Sequence, residues 1–270
     1  MNWTTLQPFK TANGLSGYHG GKGPTLVLLH GVGLKAEFWA KLIKYLIDDF
    51  SIYAIDLPGH GASQSLKANL HGLADYSDVV AAYLKTFQHP VYLVGHSMGA
   101  MIALDIATKY PAIINTVAAL NGVFRRSDMA LKAVQKRAAQ ISGIAQGELK
   151  TEATLTRWFG PDPSGDDLES LESCTAWLHA TPITDYMQAY YVFAHHDGPT
   201  EEELSQLKMP ALFVTGSKEP NSTPDMSRQM ARISPIGKVK IIKDAAHMMP
   251  MTHAKNVALT LKYHFSQQLF

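Results

Sequence analysis

One pentapeptide, Gly95-His96-Ser97-Met98-Gly99, constrains this chain more than any other segment. It follows the apolar run Pro90-Val91-Tyr92-Leu93-Val94 and precedes Ala100-Met101-Ile102-Ala103-Leu104-Asp105-Ile106-Ala107, a stretch of good helix formers. A strand that feeds a helix through G-x-S-x-G predicts a sharp turn with the serine Oγ exposed, the glycines letting strand and helix pass closely. Glycine and serine are common, so the five letters alone are weak, and the alternative is an ordinary glycine-rich βα turn. The flanking strand and helix carry the argument.

Other segments point the same way. Pro24-Thr25-Leu26-Val27-Leu28-Leu29 is a second apolar strand, and it runs into His30-Gly31-Val32-Gly33. Such a loop can aim a backbone N–H at a developing oxyanion, together with the N–H that follows the nucleophile. The donors are then the amides of Val32 and Met98. Phe50 to Asp56 is a third strand, leading into Leu57-Pro58-Gly59-His60-Gly61-Ala62-Ser63. Ala211 to Gly216 is a strand followed by Ser217-Lys218-Glu219-Pro220, and Lys238 to Ile242 is one followed by Asp244-Ala245-Ala246-His247-Met248-Met249. Serine, then acid, then histidine is one of the known chain orders of a catalytic triad.

These motifs resemble those of the α/β-hydrolase superfamily, in particular its capped esterase, lactonase and C–C hydrolase members. The resemblance spans nearly the whole chain: L-L-H-G-V-G, D-L-P-G-H-G-A-S, V-G-H-S-M-G-A, the acid loop and A-A-H-M. It implies an α/β fold with a mostly parallel twisted sheet flanked by helices, plus an inserted helical cap. It does not specify a substrate.

Composition fits one α/β unit of ordinary size: 270 residues, 46% hydrophobic and 17% charged. A net charge of +1 gives no reason to expect nucleic acid or an anionic membrane as partner. No apolar run reaches the roughly 18 residues that span a bilayer. The first residues lack the basic and apolar regions of a signal peptide. Cys174 is the only cysteine, so no intrachain disulfide forms. The expected location is the cytoplasm.

Residues 3–20 predict an opening hairpin with a two-residue turn at Asn13-Gly14. Strands and helices then alternate to residue 123, and Thr116 to Leu120 supplies the strand after the serine helix. From 124 to 207 the alternation stops and helical patterning takes over, and it resumes at Met209. The expected division is a core of residues 1–123 and 208–270 with a cap of 124–207 over the C-terminal strand ends, where α/β sheets bind ligands.

A serine hydroxyl needs an adjacent base, so His247 takes the proton of Ser97 and later delivers it to the leaving group. The imidazolium needs a carboxylate. The family usually has aspartate in the matching loop, and this chain has Glu219. Asp225, on a first helical turn, and Asp244, three positions before His247, are the competing acids, and Asp56 reads as structural. Asn121, at the end of the strand after the serine helix, cannot supply a charge. Of the 12 histidines, His30 and His60 are expected to hold loops. His195-His196-Asp197 has no third ligand in register, so no metal is expected, and the triad requires no cofactor.

The cap segment is rich in aromatics, and Trp158, Trp177 and Tyr190, with Met248 beside the histidine, are the candidate substrate contacts. They predict an apolar cleft with few charges for a small or medium acyl compound. Arg125 and Arg126 read either as a solvated pair or as a hold on a substrate carboxylate. Ester or lactone hydrolysis through an acyl-enzyme is the leading expectation. C–C bond hydrolysis or cofactor-free perhydrolysis uses the same triad, and a non-catalytic binding module is the remote alternative. Haloalkane dehalogenase and epoxide hydrolase chemistry is disfavoured, because it needs a carboxylate where Ser97 stands.

Overall fold

The apolar runs form the middle of an eight-stranded sheet in a computed structural model that describes residues 6–67, 72–143, 151–160, 162–163 and 165–267. In chain order the strands are β1 (Gln7–Lys10), β2 (Ser16–Gly20), β3 (Thr25–Leu29), β4 (Ser51–Asp56), β5 (Val91–His96), β6 (Ile114–Leu120), β7 (Ala211–Gly216) and β8 (Gly237–Ile242). Their order across the sheet is β1-β2-β4-β3-β5-β6-β7-β8. β1 and β2 are antiparallel to their neighbours, and every later pairing is parallel.

The α-helices of the described residues are α1 (Ala40–Ile43), α2 (Leu73–Leu84), α3 (Met98–Lys109), α4 (Asp128–Ser142), α5 (Glu152–Phe159), α6 (Asp166–Ala180), α7 (Ile183–His195), α8 (Glu201–Ser205), α9 (Pro224–Ile233), α10 (Met249–Thr252) and α11 (Ala254–Ser266). β5 and β7 are buried along their whole length, as expected of parallel strands covered on both faces, so they read as unbroken apolar runs. β8 closes one edge and keeps Lys238 and Lys240 exposed, which blunts an edge that would otherwise pair with another chain.

The opening hairpin forms, but its turn is longer than Asn13-Gly14 alone suggested. Residues 11–15 link β1 to β2, with Thr11 N–H donating to the Leu15 carbonyl at 2.8 Å and Leu15 N–H to Thr11 Oγ1 at 2.9 Å. The Thr11 side chain closes the wider loop, and the expected residues 3–5 lie outside the described ones. Between β6 and β7, which are neighbours in the sheet, the described residues form α4 to α8 and no strand.

The topology decides where chemistry can occur. β5, β6, β7 and β8 lie side by side and parallel, so the residues after their C-terminal ends gather at one edge of the sheet. Backbone bonds carry the ladder past the strand ends: Ser97 N–H to Leu120 O at 2.9 Å, Asn121 N–H to Val214 O at 2.8 Å, and Ser217 N–H to Ile242 O at 2.9 Å. Ser97, Asn121, Glu219 and His247 follow these four strands in turn.

Candidate active site

Ser97 sits at φ 56° and ψ −117°, a backbone conformation that non-glycine residues rarely adopt and that costs about 1–3 kcal/mol. Its neighbours enforce it. A Cβ on Gly95 would lie 2.0 Å from the Gly99 carbonyl oxygen, and one on Gly99 would lie 2.2 Å from that of Leu29. Only glycine at both positions lets β5 turn so tightly into α3 and pack against β3.

Two neutral histidines shape the loop before Ser97. Leu57 N–H donates to His30 Nε2 at 2.9 Å, and Gly33 N–H donates to His60 Nε2 at 3.0 Å. Each ring therefore carries its proton on Nδ1, which donates to Gly31 O and Pro58 O respectively. Burial pushes both pKa values down and keeps the rings uncharged. Asp56 ties the same region by accepting from Ala36 N–H at 2.7 Å and Ala62 N–H at 2.9 Å. Gly31 is held so close that a Cβ there would lie 3.1 Å from Ser97 Cβ. Among the described residues, neither Val32 N–H nor Met98 N–H donates to a protein acceptor. Met98 opens α3, where the first amides have no partner within the helix.

Glu219 is buried and accepts four hydrogen bonds. Oε2 receives His247 Nδ1–H at 2.6 Å and Asn121 Nδ2 at 3.1 Å, while Oε1 receives the N–H groups of Asn221 at 2.8 Å and Ser222 at 3.4 Å. Burial alone would raise its pKa. The adjacent His247 and the two amides outweigh that, so the carboxylate stays below its ordinary range. With Nδ1–H bound to Glu219, His247 Nε2 is left as the acceptor nitrogen. The competing acids are elsewhere: Asp225 pairs with Arg228 at 3.1 Å and Asp244 with Lys218 at 3.4 Å, all four on the surface.

Asn121 has a role that its lack of charge concealed. Its Nδ2 donates to Glu219 Oε2 and, at 2.7 Å, to the His247 carbonyl oxygen, so one amide ties Glu219 to His247. It holds φ 50°, a left-handed backbone that asparagine tolerates. His96, the variable residue of the serine turn, donates from Nε2 to the same His247 carbonyl at 2.8 Å. The sequence signal was position alone: Asn121 ends the strand beside Ser97.

Ser97, Asn121 and His247 line one cavity of about 160 Å³ with Gly31, Val32 and residues of α4, α5 and α7. That is close to the ~150 Å³ that holds a benzene ring. Trp158 and Tyr190 line it, and the Trp158 ring lies nearly parallel to His247 at 6.1 Å. Trp177 does not. It faces a separate depression beside Tyr18, Glu37 and Thr181, because α6 turns that side of the helix away from Ser97. Met248 is wholly buried at the start of α10 and does not line the cavity either. The expectation of few charges also needs correction, since Arg126, Arg137 and Arg157 all line the cavity.

Arg125 is exposed and pairs with Glu201 at 2.6 Å. Arg126 is buried and bonded to Asp197 at 3.2 Å and to the carbonyls of His196 and Phe193, so it fastens the start of the helical segment to the end of α7. His195 Nδ1–H donates to the Tyr191 carbonyl at 2.9 Å.

Residues 26–259 match the model of the Alpha/beta hydrolase family. The chain belongs to that family. It is similar to the (E)-2-((N-methylformamido)methylene)succinate hydrolase of Acinetobacter baylyi, at 36% identity over 88% of this chain and 88% of that protein. It is also similar to the pimeloyl-[acyl-carrier protein] methyl ester esterase of Methylococcus capsulatus, at 26% identity over 88% of this chain and 93% of that protein. The crystal structure of the enol-lactonase from Burkholderia xenovorans shares the fold, with a TM-score of 0.81 and 20% identity over 96% of this chain and all of that one. With relatives of this kind the chain is a hydrolase. Among the described residues, no helix is long and apolar enough to cross a membrane.

Proposed function

We propose that this hydrolase cleaves a small carboxylic ester or lactone through an acyl-enzyme on Ser97. The observation that carries the reading is the 2.6 Å bond from His247 Nδ1–H to a buried Glu219, with His247 and the strained Ser97 lining the same cavity. Ser97 Oγ attacks the carbonyl carbon while His247 Nε2 takes its proton. The oxyanion is received by the amides of Val32 and Met98. Collapse expels the alkoxide with the proton from His247, and a water activated by the same nitrogen then releases the acid. The described residues of 124–207 act as the cap over this cavity, with Trp158 and Tyr190 as its substrate contacts. The single buried cysteine accords with a cytoplasmic location.

The methyl ester named for the Methylococcus relative supports ester chemistry here, and the small cavity favours short acyl groups. The test is a panel of chromogenic esters of increasing acyl length, run beside a lactone and a vinylogous diketone. The reading expects a burst of the leaving group with short esters and no cleavage of the diketone. Diketone cleavage without ester turnover would transfer the triad to C–C bond hydrolysis.

A further inference from the structure

Three arginines line the cavity, and among the described residues no aspartate or glutamate does. They are not equivalent. Arg126 is neutralised by Asp197 and further held by two carbonyls. Arg137, on α4, and Arg157, on α5, make no ion pair among the described residues. Each spends a single donor on a neutral oxygen: Arg137 Nη1 on Tyr190 OH at 3.3 Å, and Arg157 Nη2 on Thr154 Oγ1 at 2.9 Å. A guanidinium carries five N–H donors, so most of each fork is uncommitted.

Both side chains are only partly exposed, and the two are close enough that burial and then the Arg137 charge push the Arg157 pKa down. Two like charges held together in a cleft without a counter-ion are costly unless an anion joins them. Their planar forks match a carboxylate. The rest of the lining is mainly apolar, including Val134, Trp158 and Phe193. That combination fits a short carbon chain with an acyl group at one end and an anion at the other.

We infer that Arg137 and Arg157 form an anion subsite of this cavity, so that the ester or lactone cleaved at Ser97 carries a free carboxylate. The inference rests on the ester-hydrolase reading for the reaction, but binding tests it separately. The first measurement compares kcat/KM for mono-4-nitrophenyl glutarate and 4-nitrophenyl hexanoate. The full chain is expected to favour the charged ester by at least ~10-fold, and the R137Q/R157Q variant to lose about 10–100-fold of that ratio, as for lost charge-assisted bonds. The R228Q variant, altered in a surface ion pair, is expected to keep the ratio. R157E, which takes the pair from +2 to zero by setting a carboxylate beside Arg137, is expected to abolish the preference for the charged ester, and it serves if the double variant does not fold. The second measurement titrates glutarate into the S97A protein by calorimetry, with and without R137Q/R157Q. Arginine-dependent glutarate binding supports the subsite even where neither ester is cleaved, a result that would count against the ester reading alone. Cleavage of both esters at equal rates, with glutarate binding absent or indifferent to the arginines, would overturn the subsite and leave the ester reading standing.

Discussion

Glu219→Gln is the substitution whose consequence can be worked out most fully. The carboxylate accepts from four donors, two at each oxygen. Glutamine offers one acceptor oxygen and an NH₂ group. If its oxygen keeps the Asn221 and Ser222 amides, the NH₂ faces His247 Nδ1–H and the Asn121 amide, donor against donor. If it flips, the NH₂ meets the two backbone N–H groups instead. In the first arrangement His247 relieves the clash by moving its proton to Nε2, the nitrogen that must accept from Ser97. The same tautomer error lowers kcat by ~10⁴ in the serine-protease example of an Asp→Asn change. A loss of about 10³–10⁴ is expected here, or ~4–5 kcal/mol at 1.36 kcal/mol per decade. In the first arrangement Asn121 Nδ2 loses one of its two acceptors, and in the flipped one the Asn221 and Ser222 N–H groups lose theirs; at ~1–3 kcal/mol for each unpaired donor, the melting temperature should fall by several degrees. Single-turnover hydrolysis of a short 4-nitrophenyl ester gives the rate, and calorimetry gives the melting temperature. Asp225→Asn and Asp244→Asn should both stay within threefold of the parent. Retention of most activity in Glu219→Gln, with loss in either aspartate variant, would refute the assignment.

Asn121→Ala should fold and lose about 10–100-fold in kcat with little change in KM, since it removes the donor shared by Glu219 and the His247 carbonyl. Asn121→Asp should move the acidic limb of the pH–rate profile to higher pH, because a second carboxylate favours the imidazolium; a limb that does not move would make Asn121 structural only. His264 is buried in α11 with neither ring nitrogen bonded among the described residues, and burial, then Lys238, pushes its pKa down to about 4. The unfolded chain takes up that proton near pH ~6.5, so this contribution to stability is complete above that pH and is lost as pH falls toward 4. His264→Phe should flatten the acid side of the stability curve, measured by urea unfolding between pH 7 and pH 4, and a parallel curve would refute the origin.

The order Ser97, Glu219, His247 and the sheet were legible because each strand is a short unbroken apolar run and each catalytic candidate follows one. Parallel strands buried on both faces leave that signature, and glycine spacing marks the turn at Ser97. The arginine pair was not legible. Arg137 and Arg157 lie on different helices, and only the packing of those helices puts them in one cavity. Trp177 and Met248 misled: aromatic content locates a helix-rich segment but does not say which side of a helix faces the cavity, and adjacency to His247 in sequence did not show that Met248 turns into the core. Asn121 escaped because its importance depends on two groups distant in sequence meeting at the end of β6, not on its own chemistry.

The central claim is that Ser97 is the nucleophile activated by His247. Treatment with a serine-directed fluorophosphonate, followed by intact-mass and peptide analysis, tests it most directly. The account predicts one label per chain, located on Ser97, with labelling and ester hydrolysis both abolished in Ser97→Ala and labelling slowed by at least ~10³ in His247→Ala. A label that persists in Ser97→Ala, or hydrolysis within tenfold of the parent in that variant, would contradict it.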